Sequence, residues 1–319
     1  MKFIQLAVPT VTALGIAVCF GGGFNPSSAN QFSPMQTIWQ QGQPGRAVAF
    51  LPGFPKGGIS YPSHSGDSPA RQASASWIVS QLDSKVDFAL LAKASAAFLQ
   101  SDRYQTESEI QVQATSGGTN VISNAKAMTI VQAPNQFRSE VTFSPGKPGV
   151  KTGSTVVSDG KQVWMYRPDL KQYAVTSPQK FDDIDDNYWI GMSSLWFLQI
   201  PSEVRKPIAA GALSDPKIQK EIGLSDDLPI TSSKQTIDGQ ELYVYEYTDK
   251  EGFAIRTFVE PATAALKQVV VTGKSESYDV IITERILRRT PAPSTTANTF
   301  KFSPPRGSKL VKSLSIGPL

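Results

Sequence analysis

The sequence contains only one cysteine and one histidine among its 319 residues, and neither stands in a setting that suits catalysis. Cys19 lies in an apolar stretch near the N-terminus, and His64 lies in a segment rich in Pro, Gly and Ser. The chain therefore lacks the residues for a disulfide, for a Ser-His-Asp or Cys-His catalytic group, and for a zinc site built from these ligands. We expect no enzyme activity, no cofactor and no metal site.

Carboxylate pairs leave one enzymatic alternative open, a hydrolase with two acidic residues. The candidates are the acidic run at 182–186 and the pair Glu107 and Glu109. The run lacks the Gly and the distal Glu of a calcium loop, and it precedes an apolar helical pattern, where acidic residues favour the positive end of the helix. The pair alternates along a strand on its solvated face. We therefore interpret both groups as structural.

Charge is sparse and has no pattern. Only 18% of the residues are charged, and the net charge of +4 is spread without a basic stripe or an aromatic-basic platform, so we expect no nucleic-acid partner. No glycine-rich phosphate loop is present either, because Gly21-Gly-Gly23 belongs to the N-terminal leader and Gly117-Gly118 marks a turn. A hydrophobic fraction of 40% is typical of a globular protein.

Residues 1–29 have the features of a signal peptide. Lys2 is followed by an apolar run to Phe20, and Ser27-Ser-Ala29 supplies small residues for cleavage. An uncleaved membrane anchor is the alternative, but glycines and a proline flank the run poorly. The residues before Cys19 resemble a lipobox, except that Val18 stands where a small residue is expected. We predict cleavage after Ala29 and export to the periplasm, without a lipid anchor.

Three further divisions follow the leader. Residues 30–80 form a Pro/Gly/Ser-rich linker with no helical or strand period, and we predict that it is largely disordered. Residues 81–312 form the folded domain, which is large enough to bury a core, and residues 313–319 form a tail. We expect a monomer.

The domain pattern is one helix followed by strands. Apolar residues recur at helical spacing over 81–100, with Asp83 as N-cap. About ten strands follow, which predicts one large antiparallel meander that curves or closes to limit its edges. Most of the strand ranges are clear from alternation: 109–114, 120–132, 137–143, 155–168 as a hairpin, 171–177, 232–237, 241–248, 252–260, 265–273 and 277–288. Phe300 and Phe302 predict a short last strand.

The central hairpin at 155–168 turns at Asp159-Gly160, the strongest sequence signal for a two-residue turn. A turn there pairs Val156 with Val163. One face then carries Val156, Val163 and Met165, and the other carries Val157, Trp164 and Tyr166. Both faces are apolar, so both must be covered. The cover is either helices that pack on the sheet or an apolar ligand on an open face.

A second Asp-Gly dipeptide, Asp238-Gly239, predicts another two-residue hairpin. Its second strand carries Tyr243, Tyr245 and Tyr247 on one face, because side chains two apart point the same way.

A helical segment interrupts the strands. The acidic run at 182–186 leads into residues 187–200, which are apolar around most of a helix and are stopped by Pro201. A helix of this kind is buried nearly all round, so we predict that it covers the concave face of the sheet as a lid. A shorter helical stretch at about 202–222 completes the lid.

Three runs resemble the LolA periplasmic lipoprotein carriers. The central hairpin does so with Val157-Ser-Asp-Gly-Lys-Gln-Val-Trp-Met-Tyr-Arg-Pro-Asp-Leu-Lys-Gln172, the preceding turn with Ala133-Pro-Asn-Gln-Phe137, and the closing strand with Thr299-Phe-Lys-Phe-Ser-Pro-Pro-Arg-Gly307. This resemblance implies an unclosed antiparallel β-barrel, mainly β with an N-terminal helix and a helical lid, whose apolar cavity holds acyl chains. RseB-like regulators share the fold. The family's carrier has an Arg that latches the lid where this chain has Ala133.

The prediction for function is a non-enzymatic binder or carrier of lipids or acylated proteins, with a membrane-bound protein as donor or acceptor. Each buried CH₂ contributes about 0.8 kcal/mol to such binding. The predicted ligand-binding residues are Phe137, Val141, Phe143, Val156, Val163 and Met165. The predicted lid residues are Tyr188, Trp189, Met192, Leu195 and Trp196. The alternatives are an RseB-like module that binds a partner protein and a structural domain whose apolar faces are simply core.

Overall fold

The structure, a computed structural model, describes residues 82–83, 86–144, 152–221, 230–249, 252–275 and 278–318. The predicted leader and the whole of the predicted linker lie outside these residues, as do Cys19 and His64. No helix in the described ranges is long and apolar enough to cross a bilayer.

The first helix begins later than the sequence predicts. Strand β1 (Leu82–Asp83) pairs with a later strand, and helix α1 (Phe88–Leu99) starts after Asp87. The prediction of Asp83 as N-cap is wrong, because the side chain of Asp87 accepts the hydrogen bond from the backbone N–H of Leu90, at 2.9 Å. The carbonyl oxygen of Asp87 also accepts from the hydroxyl of Tyr245, at 2.7 Å. A contact from across the chain therefore decides which aspartate begins the helix.

The described residues contain thirteen strands in one sheet. After β1 they are β2 (Arg103–Ser116), β3 (Thr119–Gln132), β4 (Gln136–Ser144), β5 (Gly153–Asp159), β6 (Val163–Arg167), β7 (Gln172–Thr176), β8 (Ile230–Ile237), β9 (Gln240–Thr248), β10 (Ala254–Val259), β11 (Leu266–Ser275), β12 (Tyr278–Pro291) and β13 (Lys309–Leu310).

The sheet is two meanders joined edge to edge rather than one. Strands β2 to β7 form the first and β8 to β12 the second, and β12 returns to pair with β2. All pairs are antiparallel except β7 with β13. The edge strands β1 and β13 each contain two residues and do not pair with each other, which keeps the exposed edges short. The predicted mainly-β, unclosed antiparallel half-barrel is confirmed, and the single sequential meander is wrong.

The two Asp-Gly dipeptides form different turns. Asp238 and Gly239 both have positive φ, 51° and 80°, and they join Ile237 to Gln240 in the predicted two-residue hairpin. At Asp159-Gly160 the loop has four residues, and Ser158 pairs with Val163. The predicted pairing of Val156 with Val163 is therefore wrong by two residues. Because the shift is even, the predicted division of residues between the two faces holds.

The outer face of the central hairpin is covered by the C-terminal segment. The ring of Phe302 lies 6.4 Å from that of Trp164 and 6.1 Å from those of Tyr166 and Tyr173. Phe300 and Phe302 are not in a strand, so the predicted last strand is wrong; the last strand is β13. The second apolar face is thus covered by the chain itself.

The lid, residues 178–221, is a series of short helices between β7 and β8. It contains α2 (Pro178–Asp182), a 3₁₀ turn (Asn187–Ile190), α3 (Met192–Gln199), α4 (Ser202–Ala209), a second 3₁₀ turn (Ala212–Ser214) and α5 (Pro216–Glu221). The single helix predicted over 187–200 is wrong, because Gly191 breaks it with a φ of 96°. A Cβ at Gly191 would lie only 2.8 Å from Oε1 of Glu284.

Candidate functional site

The six predicted ligand-binding residues lie together on the concave face of the sheet. The register places Val131 opposite Phe137 and Ala127 opposite Val141, and Val156 pairs with Met165 on the same face. All six belong to one hydrophobic core. They are Phe137, Val141, Phe143, Val156, Val163 and Met165.

The lid packs directly on this face. The ring of Trp189 lies 5.0 Å edge-on from that of Phe143, and the ring of Phe181 lies 5.4 Å from that of Phe137. Val156 and Val163 are 0% exposed, and all five predicted lid residues are buried. The space between the centre of the lid and the sheet is therefore filled by side chains of the protein itself.

A carboxylate from the sheet holds the start of α3. Oε2 of Glu284 accepts from the backbone N–H of Ser193 at 2.7 Å, and Oε1 accepts from the hydroxyls of Ser193 at 2.8 Å and Ser108 at 2.7 Å. Burial raises the pKa of Glu284, and these hydrogen bonds oppose the rise. The sequence contained a signal for this contact, because Glu284 stands between Ile282 and Ile286 on the buried face of β12.

The other side of the lid is held by the C-terminal segment. Oδ2 of Asp186 accepts from the hydroxyl of Ser315 and from the backbone N–H of Gly317, both at 2.8 Å. Ile316 is buried, and the carbonyl oxygen of Gly317 accepts from Arg167. Residues up to 318, which the sequence separates as a tail, therefore pack on the domain.

A cleft of about 610 Å³ opens at the edge of the lid. Its walls come from the turns before β4 and β6, from α2, from the end of α3 and from the start of α4, and one side is open to solvent. Two of the predicted residues, Phe137 and Leu195, line it. The apolar lining is Pro134, Phe137, Pro178, Phe181, Leu195, Leu198, Ile200 and Pro201, and the polar lining includes Asn135, Lys161, Gln179, Asp182, Gln199, Ser202, Glu203 and Arg205.

Arg205 is a buried cation in the wall of this cleft. Arg205 is 3% exposed, and its Nε and Nη1 have no hydrogen-bond partner among the described residues. Nη2 donates to the hydroxyl of Ser202 at 3.4 Å, and the guanidinium lies 5.2 Å from the centre of the Phe197 ring. Burial lowers the pKa of Arg205, and the charges of Asp102 and Glu203 oppose this. The sequence analysis did not predict Arg205 as a site residue. Its spacing of three residues from the apolar Ile208 is the signal that places both on one side of α4.

The acidic run at 182–186 has a structural setting that the sequence does not reveal. The described residues contain no group of three or more His, Cys, Asp or Glu side chains that is close enough to hold an ion. Asp182 instead faces the cleft, where burial and then the charge of Asp183 raise its pKa to about 6. Glu107 and Glu109 form surface ion pairs with Arg288 and Lys126.

Comparisons with known proteins find similar folds. No family model and no curated protein matches the chain. An uncharacterized conserved protein from Thermus thermophilus aligns at 12% identity with a TM-score of 0.37, covering 70% of this chain and 99% of that one. A LolA superfamily protein from Nitrosomonas europaea aligns at 10% identity with a TM-score of 0.27, and the alignment covers 67% of this chain and 96% of that one. A chain of the Pseudomonas aeruginosa MucA/MucB complex aligns at 8% identity with a TM-score of 0.31, and the alignment covers 68% of this chain and 60% of that one. Each likeness concerns the fold alone.

Proposed function

We propose that this domain is an exported, non-enzymatic binder of lipids or acylated proteins, which acts in the cell envelope by holding an acyl chain in the cleft at the edge of the lid. The observation that carries the proposal is that sheet and lid together wall this cleft, and that eight apolar side chains contribute to the wall beside nine polar ones. Its volume of about 610 Å³ falls within the roughly 300–1,000 Å³ of small-molecule sites.

The apolar wall suits a flexible hydrocarbon chain. Phe137 comes from the sheet, Phe181 from α2, and Leu195 and Leu198 from α3, so a chain in the cleft would touch both layers. Each CH₂ removed from water contributes about 0.8 kcal/mol. Binding of this kind needs few polar contacts and no reacting group.

The filled centre of the lid restricts where the chain binds. Ligand contact with Val156, Val163 or Met165 would require the lid to move away from the sheet. That movement breaks the bonds of Glu284, those of Asp186, and the 2.7 Å bond that the Thr129 hydroxyl donates to the carbonyl oxygen of Ile190. The cleft needs no such change, so it is the first place of contact, with deeper burial only after the lid opens.

A variant that fills the cleft tests the proposal. Leu198→Trp adds bulk to the cleft wall, and Leu170→Trp adds the same bulk in the exposed β6–β7 turn, away from the cleft. We expect the wild-type protein and Leu170→Trp to take up a fluorescent fatty acid and to carry lipid in native mass spectra. Leu198→Trp should bind at least about tenfold more weakly. Protein that carries no lipid and takes up no probe contradicts the proposal.

The filled centre favours a second candidate, an RseB-like module of the same fold that binds a partner protein. Such a module needs no cavity, because the outer surface of the lid or the sheet makes the contact. A membrane-bound partner captured equally by wild-type protein and Leu198→Trp would support this candidate, whereas loss of capture in Leu198→Trp alone would favour recognition through the cleft.

A further inference from the structure

The start of α4 brings two positive features to one wall of the cleft. Pro201, Ser202 and Glu203 line the cleft, and no side chain caps this end of the eight-residue helix. The N-terminus of a helix carries a partial positive charge and directs its first N–H groups outwards. Arg205 lies in the first turn of the same helix and in the same wall.

The guanidinium of Arg205 is short of partners. Two of its nitrogen atoms are buried with no acceptor among the described residues, and its bond to Ser202 is long at 3.4 Å. Buried N–H donors without acceptors are unfavourable and rare in native proteins. An unpaired cation at the wall of a cleft therefore indicates a missing acceptor.

A second buried arginine provides the comparison. Nε and Nη1 of Arg289 also lack partners among the described residues, but its guanidinium lies 4.0 Å from the Phe98 ring and 3.9 Å from the Tyr104 ring. Two aromatic faces stabilise that cation, and Arg289 does not line the cleft. Arg205 has one ring, at 5.2 Å, and it is the arginine that a ligand in the cleft can reach.

The carboxylates nearby do not satisfy Arg205. Asp102 and Glu203 are exposed and act on it only through space, because neither forms an ion pair with it in the described residues. Asp182 also lines the cleft. The position for an acceptor beside Arg205 is thus left to a group from outside the described chain.

We propose that Arg205 and the first turn of α4 bind an anionic group of the ligand, a carboxylate or a phosphate, while its hydrocarbon part lies against Phe181, Leu195 and Leu198. The inference rests on the proposed function and narrows its ligand class to anionic amphiphiles. Guanidinium pairs with both anions in two parallel hydrogen bonds, so both sources of the anion are compatible with this site.

Three ligands with the same alkyl chain test the assignment: hexadecanoate, hexadecyl phosphate and hexadecanol. Affinities are measured by displacement of a fluorescent probe from the purified full chain. We expect wild-type protein to bind the two anions about 10- to 100-fold more tightly than the alcohol, the range that a charged hydrogen bond supplies. The tighter of the two anions identifies the headgroup.

Variants of Arg205 separate the charge from the fold. Arg205→Gln should lose the preference for anions and keep its affinity for hexadecanol, and the control Lys206→Gln, an exposed cation on the same helix that does not line the cleft, should behave as wild type. Arg205→Lys keeps the charge without the two-bond geometry, and it should retain a smaller preference. If Arg205→Gln does not fold, the reduced preference of Arg205→Lys carries the test.

Three results would overturn the inference. Wild-type protein that binds hexadecanol as tightly as the anions, with binding lost in Leu198→Trp, contradicts the anion site and leaves the proposed function standing. Absence of binding for all three ligands contradicts both. An anion preference that persists in Arg205→Gln assigns the charge recognition to other residues and also refutes the proposal.

Discussion

Two buried charged residues lie beside opposite ends of α3, and they differ in whether their hydrogen bonds are made. At its N-terminal end, Glu284 is 0% exposed and accepts three hydrogen bonds from Ser108 and Ser193. Beside its C-terminal half, Arg205 is 3% exposed and has two nitrogen atoms without partners among the described residues. The hydrogen bonds of Glu284 meet its needs within the fold, whereas an unpaired cation at the wall of a cleft indicates a missing partner.

The surroundings of the two charges differ in the same way. Around Glu284 the lid is packed on the sheet, with Trp189 against Phe143. Beside Arg205 the layers separate into the cleft. We therefore interpret the first region, the packed centre, as the part that holds the lid closed, and the cleft as the part that meets the ligand.

The largest contrast is expected from truncation of apolar side chains in the two regions. Trp189→Ala removes a buried ring from the packed centre and should lower the free energy of unfolding by about 3–5 kcal/mol, including the cavity it leaves. Leu198→Ala, at the open cleft, should lower it by only about 1 kcal/mol, because the residue is half-buried and water can fill the space. Urea denaturation of both variants measures the difference. Equal losses would contradict the division into a packed centre and an open edge.

Removal of the buried carboxylate should have the next largest effect. Glu284→Ala leaves one backbone N–H and two hydroxyls without their acceptor and should destabilise the protein by about 3 kcal/mol. The amide protons at the start of α3 should then exchange faster with solvent. Glu284→Gln keeps one acceptor oxygen and should lose less.

The matched control for this prediction is Glu241→Gln, on an exposed strand position with a 3.5 Å ion pair to Lys234. Its effect should stay within about 0.5 kcal/mol, as for most surface substitutions. If Glu284→Ala is as stable as the control, Glu284 does not hold the lid.

The smallest effect depends on pH and concerns Asp182 in the cleft. Burial raises the pKa of its carboxyl group to about 6, above the value of about 4 for an unfolded chain. Ionisation is therefore harder in the folded state, and the protein loses stability as the pH rises from about 4 to about 6. Asp182→Asn should be more stable than wild type by about 2 kcal/mol near pH 7.5, and it should show no gain near pH 4.

Thermal melts across this pH range measure the gain, with Asp279→Asn, on an exposed strand position, as the control without a pH-dependent gain. Asp182→Asn should also tighten anion binding near pH 7.5, since it removes a negative charge from a cleft that also contains Lys161 and Arg205. A gain in stability that is as large near pH 4 as near pH 7.5 would contradict the role of ionisation.

In the central hairpin, the alternation of side chains predicts the faces of the strands but not their register. The faces of Val156 and Met165 are predicted correctly, because any even shift keeps them. The register is not predicted correctly. The Ser158 hydroxyl donates to the carbonyl oxygen of Asn135 in another turn, at 2.6 Å, and within the loop the Asp159 side chain accepts from the N–H groups of Lys161 and Gln162. At Asp238-Gly239 the side chain of Asp238 accepts a hydrogen bond from Arg285 on β12, at 2.6 Å, and the turn is the predicted one.

The candidate site divides in the same manner. The apolar residues of sheet and lid are recognisable from their period, and they do meet, as Phe143 and Trp189 do. Hydrophobic periodicity does not indicate whether the lid and the sheet pack tightly or leave a cavity between them. The break of the lid at Gly191, where Glu284 comes within reach of the backbone, and the position of Arg205 depend on segments far apart in the chain.

The sequence alone determined where most of the strands lie along the chain, the side chains that share a face, and the apolar segment that covers the sheet, because each depends on neighbours within a few residues. The tertiary structure decided the pairing of β12 with β2, the closely packed centre, the cleft at its edge, and which buried charge has partners. These depend on how closely distant segments approach, and a difference of a few ångströms separates a filled core from a binding cleft.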